Sequence, residues 1–218
     1  RDLMATFMAK WSMQYPGQSG HFHFSVCDAN DVNIFADGTA PQGMSEAQRF
    51  AVGGLQRYLP ELLPMLAPTI NSDTRLVKGA WAPTSATWGV ENRTAAIRVI
   101  PGGASSQRIE CRVGGADANP YLVAAAVLSA GLAGIRERQE PESAVPGNAY
   151  ELEDSLPAYL RFASNLGDAA EKMDGSKLAR ASLGDEFVDH FVMSRRWEVQ
   201  EYQRSLNNWQ LQRYFEII

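Results

Sequence analysis

Two groups of residues have types and spacings that could do chemistry. His21 and His23, two of the three histidines in the chain, follow the turn-forming Pro16-Gly17-Gln18-Ser19-Gly20. In the alternating run His21-Phe22-His23-Phe24-Ser25-Val26, a strand puts His21, His23 and Ser25 on one face and the apolar residues on the other. Two same-face imidazoles can reach one metal ion or one phosphate, and the preceding glycines let a ligand approach the backbone. Two histidines that merely satisfy ordinary surface or core positions are as compatible with that spacing. The second group is Arg75, Arg93, Arg98, Arg108 and Arg112, with Glu91 and Glu110 the acids among them. On regular strands Arg93 and Arg98 fall on opposite faces, whereas Arg108, Glu110 and Arg112 share one. Guanidinium forks bind carboxylates and phosphates bidentately. A glutamate between two arginines stays ionised, which suits a metal ligand or an ion-pair partner better than a general acid. The plain alternative is a ladder of cross-strand salt bridges.

Those residues need elements to hold them. Short β-prone runs occur at Ala5–Met8, His21–Val26, Arg75–Val77, Thr94–Ile100 and Gln107–Val113. Ser45 with Glu46 and Gln48 starts a helical pattern that Phe50, Leu55, Tyr58, Leu59, Leu62, Leu63 and Leu66 carry to Pro68, with Pro60 and Pro64 expected to break or kink it. Asn119-Pro120 caps a second helix whose face is Tyr121, Leu122, Ala125, Leu128, Leu132 and Ile135. Residues 139–149 read as a loop. From Leu156 onward the pattern is helical in three or four segments, broken near Gly175 and Gly184. The economical reading is one α+β domain.

Composition narrows the function. With 218 residues, 45% of them apolar, the chain can bury a substantial core. Its 25 acids against 20 bases give a net charge of -5, which argues against nucleic acid or an anionic membrane as partner and leaves the arginines for a small anion. The apolar stretch around Tyr121–Ile135 is too short to span a bilayer. Cys27 and Cys111 lack a CxxC spacing and fit a reducing cytosol better than a disulfide framework. Arg1-Asp2-Leu3-Met4-Ala5-Thr6-Phe7-Met8 carries no signal-peptide pattern and reads as mid-domain sequence, so the chain is expected to be part of a longer protein. No GxxxxGK[ST] loop, GxSxG elbow, HExxH helix or GxGxxG fingerprint is present. Residue types and spacing alone stop at an anion-binding enzyme, with metal dependence left open.

The motifs carry a resemblance further. Ala5-Thr6-Phe7-Met8-Ala9-Lys10, Gly20-His21-Phe22-His23-Phe24-Ser25, Asn71-Ser72, Ala82-Pro83, Asn92-Arg93-Thr94-Ala95, Ile97-Arg98, Arg108-Ile109-Glu110-Cys111-Arg112 and Ala118-Asn119-Pro120-Tyr121-Leu122 occur in this order. The set resembles the C-terminal catalytic domain of the glutamine synthetases, and within it the glutamine synthetase-like γ-glutamyl-amine (glutamate-amine) ligases. Arg196-Trp197-Glu198 and Trp209-Gln210-Leu211-Gln212-Arg213-Tyr214 resemble that family's final helices. The resemblance implies a curved antiparallel sheet flanked by helices, with a helical C-terminal third. Residues 1–218 would be the C-terminal part of that domain, with the N-terminal β-grasp domain and upstream catalytic segment outside it, and this piece alone inactive.

In that family ATP phosphorylates the γ-carboxylate of glutamate and an amine displaces the phosphate, with Mg2+ or Mn2+ neutralising the developing charge. By motif, His21 and Glu110 resemble metal ligands, and Gly17, Arg75 and Arg112 resemble glutamate-binding positions. Arg93, Arg98 and Arg108 resemble the arginines on ATP phosphates and the transferred phosphoryl group, and His23 and Ser25 lie in the nucleotide-side segment. The resemblance also implies a cytoplasmic, ring-shaped homo-oligomer whose partners are glutamate, ATP and an amine.

Departures set the subclass. Ammonia-using members carry a flap Glu in Pro-Gly-x-Glu-Ala-Pro, where this chain has Gly79-Ala80-Trp81-Ala82-Pro83. Trp81 cannot take a proton and could wall an amine's carbon chain, with Trp88 beside it. Pro16-Gly17-Gln18-Ser19-Gly20 replaces the usual Asn-Gly-Ser-Gly-Met, and Ser105 stands where a Lys often precedes the Arg108 position. A γ-glutamyl-amine ligase is the favoured reading, with an ammonia-using glutamine synthetase and a catalytically dead relative as alternatives. Tyr150 lacks the pattern of a modified tyrosine and reads as an ordinary loop residue.

Overall fold

The alternation around His21 becomes strand β1 (Phe22–Phe24), at the edge of a four-stranded sheet with β2 (Trp88–Val90), β3 (Ile97–Ile100) and β4 (Arg108–Cys111) in the order β1-β4-β3-β2. The computed structural model describes residues 2–217. β4 pairs antiparallel with both β1 and β3, while β2 lies parallel to β3, so the sheet is mixed. Residues 91–96 return the chain to the start of β3, turning at Glu91 with φ 53°. Asn92 holds this return by donating to the carbonyls of Val145 and Gly147.

The register separates core from site. Phe22, Cys111, Ile97 and Trp88 form one cross-strand row facing the helices. His23, Glu110 and Arg98 form the neighbouring row, and the pleat turns it to the opposite face. Apolar side chains of the first row join Leu55, Leu59, Leu62 and Leu66 of α1 (Glu46–Leu66) and Val123, Ala126, Val127 and Ala130 of α3 (Pro120–Glu137) in one core.

Helix α1 starts where the sequence indicates, with the Ser45 side chain accepting from the Gln48 N–H, but it runs unbroken through Pro60 and Pro64. Full burial of Leu59, Leu62, Leu63 and Leu66 outweighs the local cost of about 3 kcal/mol that a mid-helix proline carries. In α3, Asn119 accepts from the Tyr121 N–H and Pro120 opens the first turn. The helical third is α4 (Leu166–Asp174), α5 (Lys177–Leu183), α6 (Asp185–Gln203) and α7 (Asn208–Tyr214), with Gly175 and Gly184 at the expected breaks. The runs Ala5–Met8 and Arg75–Val77 are not strands. Arg75 instead follows a helical turn, α2 (Ile70–Asp73), closed by a Thr69–Ser72 capping box that the sequence reading does not anticipate. Among the described residues no helix is long and apolar enough to cross a membrane. Cys27 is exposed and Cys111 buried, and both are free.

α1 and α3 cross at Gly54 and Gly134. A Cβ on Gly134 would lie 2.2 Å from the Phe50 carbonyl oxygen and 2.6 Å from the Gly54 Cα, both backbone atoms that cannot swing aside. Gly→Ala in a free helix gains about 1 kcal/mol, whereas here the overlap reverses the sign. Gly134→Ala is expected to lower stability by about 2 kcal/mol, read as a reduced urea midpoint; an unchanged or raised midpoint would contradict this crossing.

Candidate active site

Strand β4 presents Glu110 outward, and neighbouring strands bring cations to it. Its carboxylate is 3% accessible. Oε1 accepts from the Arg112 guanidinium at 2.9 Å and lies 2.8 Å from His21 Nδ1, and Oε2 accepts from Arg98 at 2.9 Å. His23 Nε2 is 3.6 Å from Oε1. Arg98 also bonds Glu91, so it bridges the two carboxylates. Burial alone would raise the pKa of Glu110; the Arg98 hydrogen bond first, and then the Arg112 charge, outweigh it and hold the carboxyl below its ordinary value. Burial first, and then the Arg112 charge, lower the His21 pKa and favour the neutral ring.

Arg108 completes the positive rim, with its Nε 3.5 Å from His23 Nδ1 and a donated bond of 3.0 Å to the Ser106 carbonyl. Arg75 enters from behind the Gly17 turn. A Cβ at Gly17 would sit 2.5 Å from Arg75 Cγ, so glycine is required for that approach. Arg75 donates to the Val113 carbonyl, and burial pulls its pKa down to about 10. Arg75 and Arg112 each bury an Nε–H with no partner among the described residues. Four guanidinium groups, those of Arg75, Arg98, Arg108 and Arg112, therefore meet three carboxylates, Glu91 and Glu110 at the sheet and Asp117 behind Arg75. A self-neutralising ladder would not carry this excess, whereas a site for small anions would.

Not every sequence candidate joins this cluster. Ser25 lies beyond the end of β1, exposed, and makes no side-chain hydrogen bond among the described residues. Arg93 sits in the 91–96 return rather than on a strand, so the opposite-face relation to Arg98 does not arise; it is exposed and unpaired among the described residues. Trp81 lies on an exposed loop at φ 55°, and its carbonyl is 3.5 Å from an Arg112 nitrogen. Trp81 lines a cavity of about 410 Å³ with Gly79, Thr94, Gly147, Asn148 and Tyr150. Trp88 is not beside it: its ring belongs to the core and its N–H donates 2.6 Å to the Glu142 carbonyl. Tyr150, which the sequence leaves as ordinary loop, is a wall of this cavity and donates 2.9 Å to the Ala82 carbonyl.

The donor set fits a divalent ion in part. With Nδ1–H turned to Glu110, His21 presents Nε2 as a lone pair, the arrangement in which a carboxylate orients a metal-binding imidazole. The oxygens of Glu110 already accept from Arg98 and Arg112, and no group of three or more His, Cys, Asp or Glu set to hold a metal occurs among the described residues.

This geometry has relatives. The family model for the glutamine synthetase catalytic domain matches residues 1–214. The chain belongs to the glutamine synthetase family. It is 44% identical over 220 residues to type-1 glutamine synthetase 2 of Dictyostelium discoideum, covering all of this chain and 42% of that one. It is 38% identical over 216 residues to the glutamate–isopropylamine ligase of a Pseudomonas species, covering 99% and 47%. The solved GmaS/ADP complex superposes with a TM-score of 0.86 at 32% identity, over 96% of this chain and 49% of that one. The chain thus spans about half the length of the relatives it matches. Glutamine synthetase family enzymes act on glutamate with ATP and divalent metals, which agrees with the surplus of guanidinium charge here.

Behind Arg75, Asp117 accepts from Thr69 and Ser72 at 2.9 and 2.7 Å. Burial, with a contribution from Asp117, pushes the neighbouring Asp73 up to about 6. A carboxyl whose folded pKa is raised binds an extra proton in the folded state, so its contribution is full below the unfolded pKa and is lost as pH rises through about 6. Asp73→Asn is therefore expected to stabilise the protein at pH 7.5 by roughly 1 kcal/mol, after discounting for partial exposure, and by nothing at pH 4. Urea midpoints at the two pH values read this, and equal shifts at both would refute it.

Proposed function

We propose that this protein is an ATP-dependent carboxylate–amine ligase that joins glutamate to an organic amine. A γ-carboxylate oxygen of glutamate attacks the γ-phosphorus of ATP and ADP leaves; the amine nitrogen then attacks the acyl carbon, expelling phosphate and giving a γ-glutamyl amide. Arg75 and Arg112, with their spare Nε–H groups, would take the glutamate carboxylate at the Gly17 turn. Arg98 and Arg108 would hold phosphate oxygens, and Arg93, exposed on its return loop, is free to join them when substrates bind. His23 and Ser25 would border the nucleotide. His21, through Nε2, and Glu110 would contribute to a Mg2+ or Mn2+ site, where the ion screens the negative charge that builds on the transferred phosphoryl group.

The observation that carries the choice of amine is the Trp81 cavity. Its lining contains an indole, a phenol, small residues and no acid. Such a surface suits the uncharged organic part of a monoamine, and offers nothing to pair with a polyamine's second charge. The 38% identity to a glutamate–isopropylamine ligase supports the same reading. The 44% identity to a protein named as a glutamine synthetase favours ammonia as the second reading. Against a dead relative stands the retention of the buried Arg75, Arg112 and Glu110, costly without a ligand. A ring-shaped homo-oligomer belongs to the same proposal, supported by the exposed apolar residues Leu211 on α7 and Phe215 and Ile217 beyond its end, as does a cytoplasmic setting with two free thiols.

The deciding experiment is phosphate release by the full-length protein with ATP, Mg2+ or Mn2+ and glutamate, comparing ammonium with methylamine, ethanolamine, isopropylamine, putrescine and spermidine. Strong release with one monoamine and little with ammonium supports the ligase; preference for ammonium makes it a glutamine synthetase; silence with all supports the dead relative. Trp81→Glu is expected to weaken alkylamine use and admit ammonium, and an unchanged preference removes Trp81 from the amine site. Glu110→Gln is expected to cut phosphoryl transfer by about 100-fold or more in protein that still folds, a loss typical of one preorganised electrostatic contact. A small effect returns Glu110 to the role of a salt bridge.

A further inference from the structure

The Trp81 loop is strained and exposed, yet it is tied down on both sides of the indole. Gly79 and Trp81 both have positive φ, 79° and 55°, and for tryptophan that conformation costs free energy that other contacts must offset. On the C-terminal side, Tyr150 donates 2.9 Å to the Ala82 carbonyl. On the N-terminal side, Lys78 pairs with Glu153 at 3.1 Å. Both partners come from the 3-10 segment Ala149–Ser155, which Asn148 caps by accepting from the Tyr150 N–H. The segment is anchored in turn to the 91–96 return, where Ala149 N–H donates 2.9 Å to Thr94 Oγ1. Trp81 and Tyr150 are two walls of the same 410 Å³ cavity.

From this we infer that Tyr150 is a positioning residue: its hydroxyl latches the Trp81 loop in the conformation that forms the amine cavity, and its ring lines the same cavity. The inference rests on reading that cavity as the amine's pocket. Without the hydroxyl, the Ala82 carbonyl loses its donor and the loop is free to relax away from the strained Trp81 conformation. The ring remains, so Tyr150→Phe separates latching from lining. An open loop holds the amine less well and admits water, which hydrolyses the γ-glutamyl phosphate to glutamate and phosphate in place of amide formation.

Full-length Tyr150→Phe is to be compared with the parent enzyme in two ways. Hydrogen–deuterium exchange should quicken over residues 78–82 and stay unchanged in β4 and α1. With the best amine, its KM should rise about 3- to 10-fold, the scale of one net hydrogen bond, and amide formed per phosphate released should fall, with the KM for ATP unaltered. Unchanged exchange over 78–82 overturns the latch whichever amine the enzyme uses. Faster exchange with unaltered amine KM and coupling overturns the link between latch and amine. Equal changes in all substrates, with exchange raised throughout, would mean general destabilisation and also overturn the assignment. If the parent enzyme prefers ammonium, the amine-ligase reading fails by itself, and the exchange result still decides the latch.

Discussion

The structure depends on the pleat of β4. A strand that sends Ile109 and Cys111 into the core must send Arg108 and Glu110 to the other face, and the register sets His23 and Arg98 beside Glu110 from either side. A nearly inaccessible carboxylate is tolerable only because Arg98, Arg112 and His21 satisfy it, and removing a partner from such a pair costs about 3–5 kcal/mol. Slipping β4 by one residue would bury Glu110 among the leucines of α1 and expose Ile109 and Cys111. Sheet register and charge network therefore enforce each other.

Charge balance separates a functional site from a structural ladder. Glu110 and Glu91 neutralise part of the guanidinium set, and the orphaned Nε–H groups of Arg75 and Arg112 leave donors waiting inside the protein. Burying such donors is costly unless an anion arrives to meet them. A chain that is net negative overall but concentrates positive charge on one face of one sheet suits small anions, and its membership of the glutamine synthetase family agrees with that.

The Trp81 loop obeys a different constraint. The charged row of His23, Glu110 and Arg98 is built on strands whose side chains are fixed by register, whereas Trp81 rides on a loop in a conformation that tryptophan does not favour on its own. Its position is set by one hydrogen bond and one ion pair from residues some seventy positions later, Tyr150 and Glu153. Arg112 approaches the Trp81 carbonyl as well, so the two sides of the site share one guanidinium.

Much of this was legible in the sequence, because it follows from periodicity and local chemistry. The His21–Val26 alternation, the shared face of Glu110 with its arginines, the Ser45 and Asn119 caps and the glycine breaks before α5 and α6 all depend on residues close together in the chain. What failed to show depends on distant partners. Continuous α1 defies Pro60 and Pro64 because tertiary burial outweighs propensity, and Trp88 lies away from the Trp81 cavity because the sheet turned it into the core. Arg93 fell outside the cluster because a return loop replaced the strand expected there. The role of Tyr150 has no local signal at all, since it consists of one hydrogen bond to a carbonyl sixty-eight residues away. The sequence by itself determined which residues carry charge and which face of each strand they take, since the pleat is a local property; only the tertiary structure decided which charges meet and which loop is held over them, since that depends on register and long-range contacts.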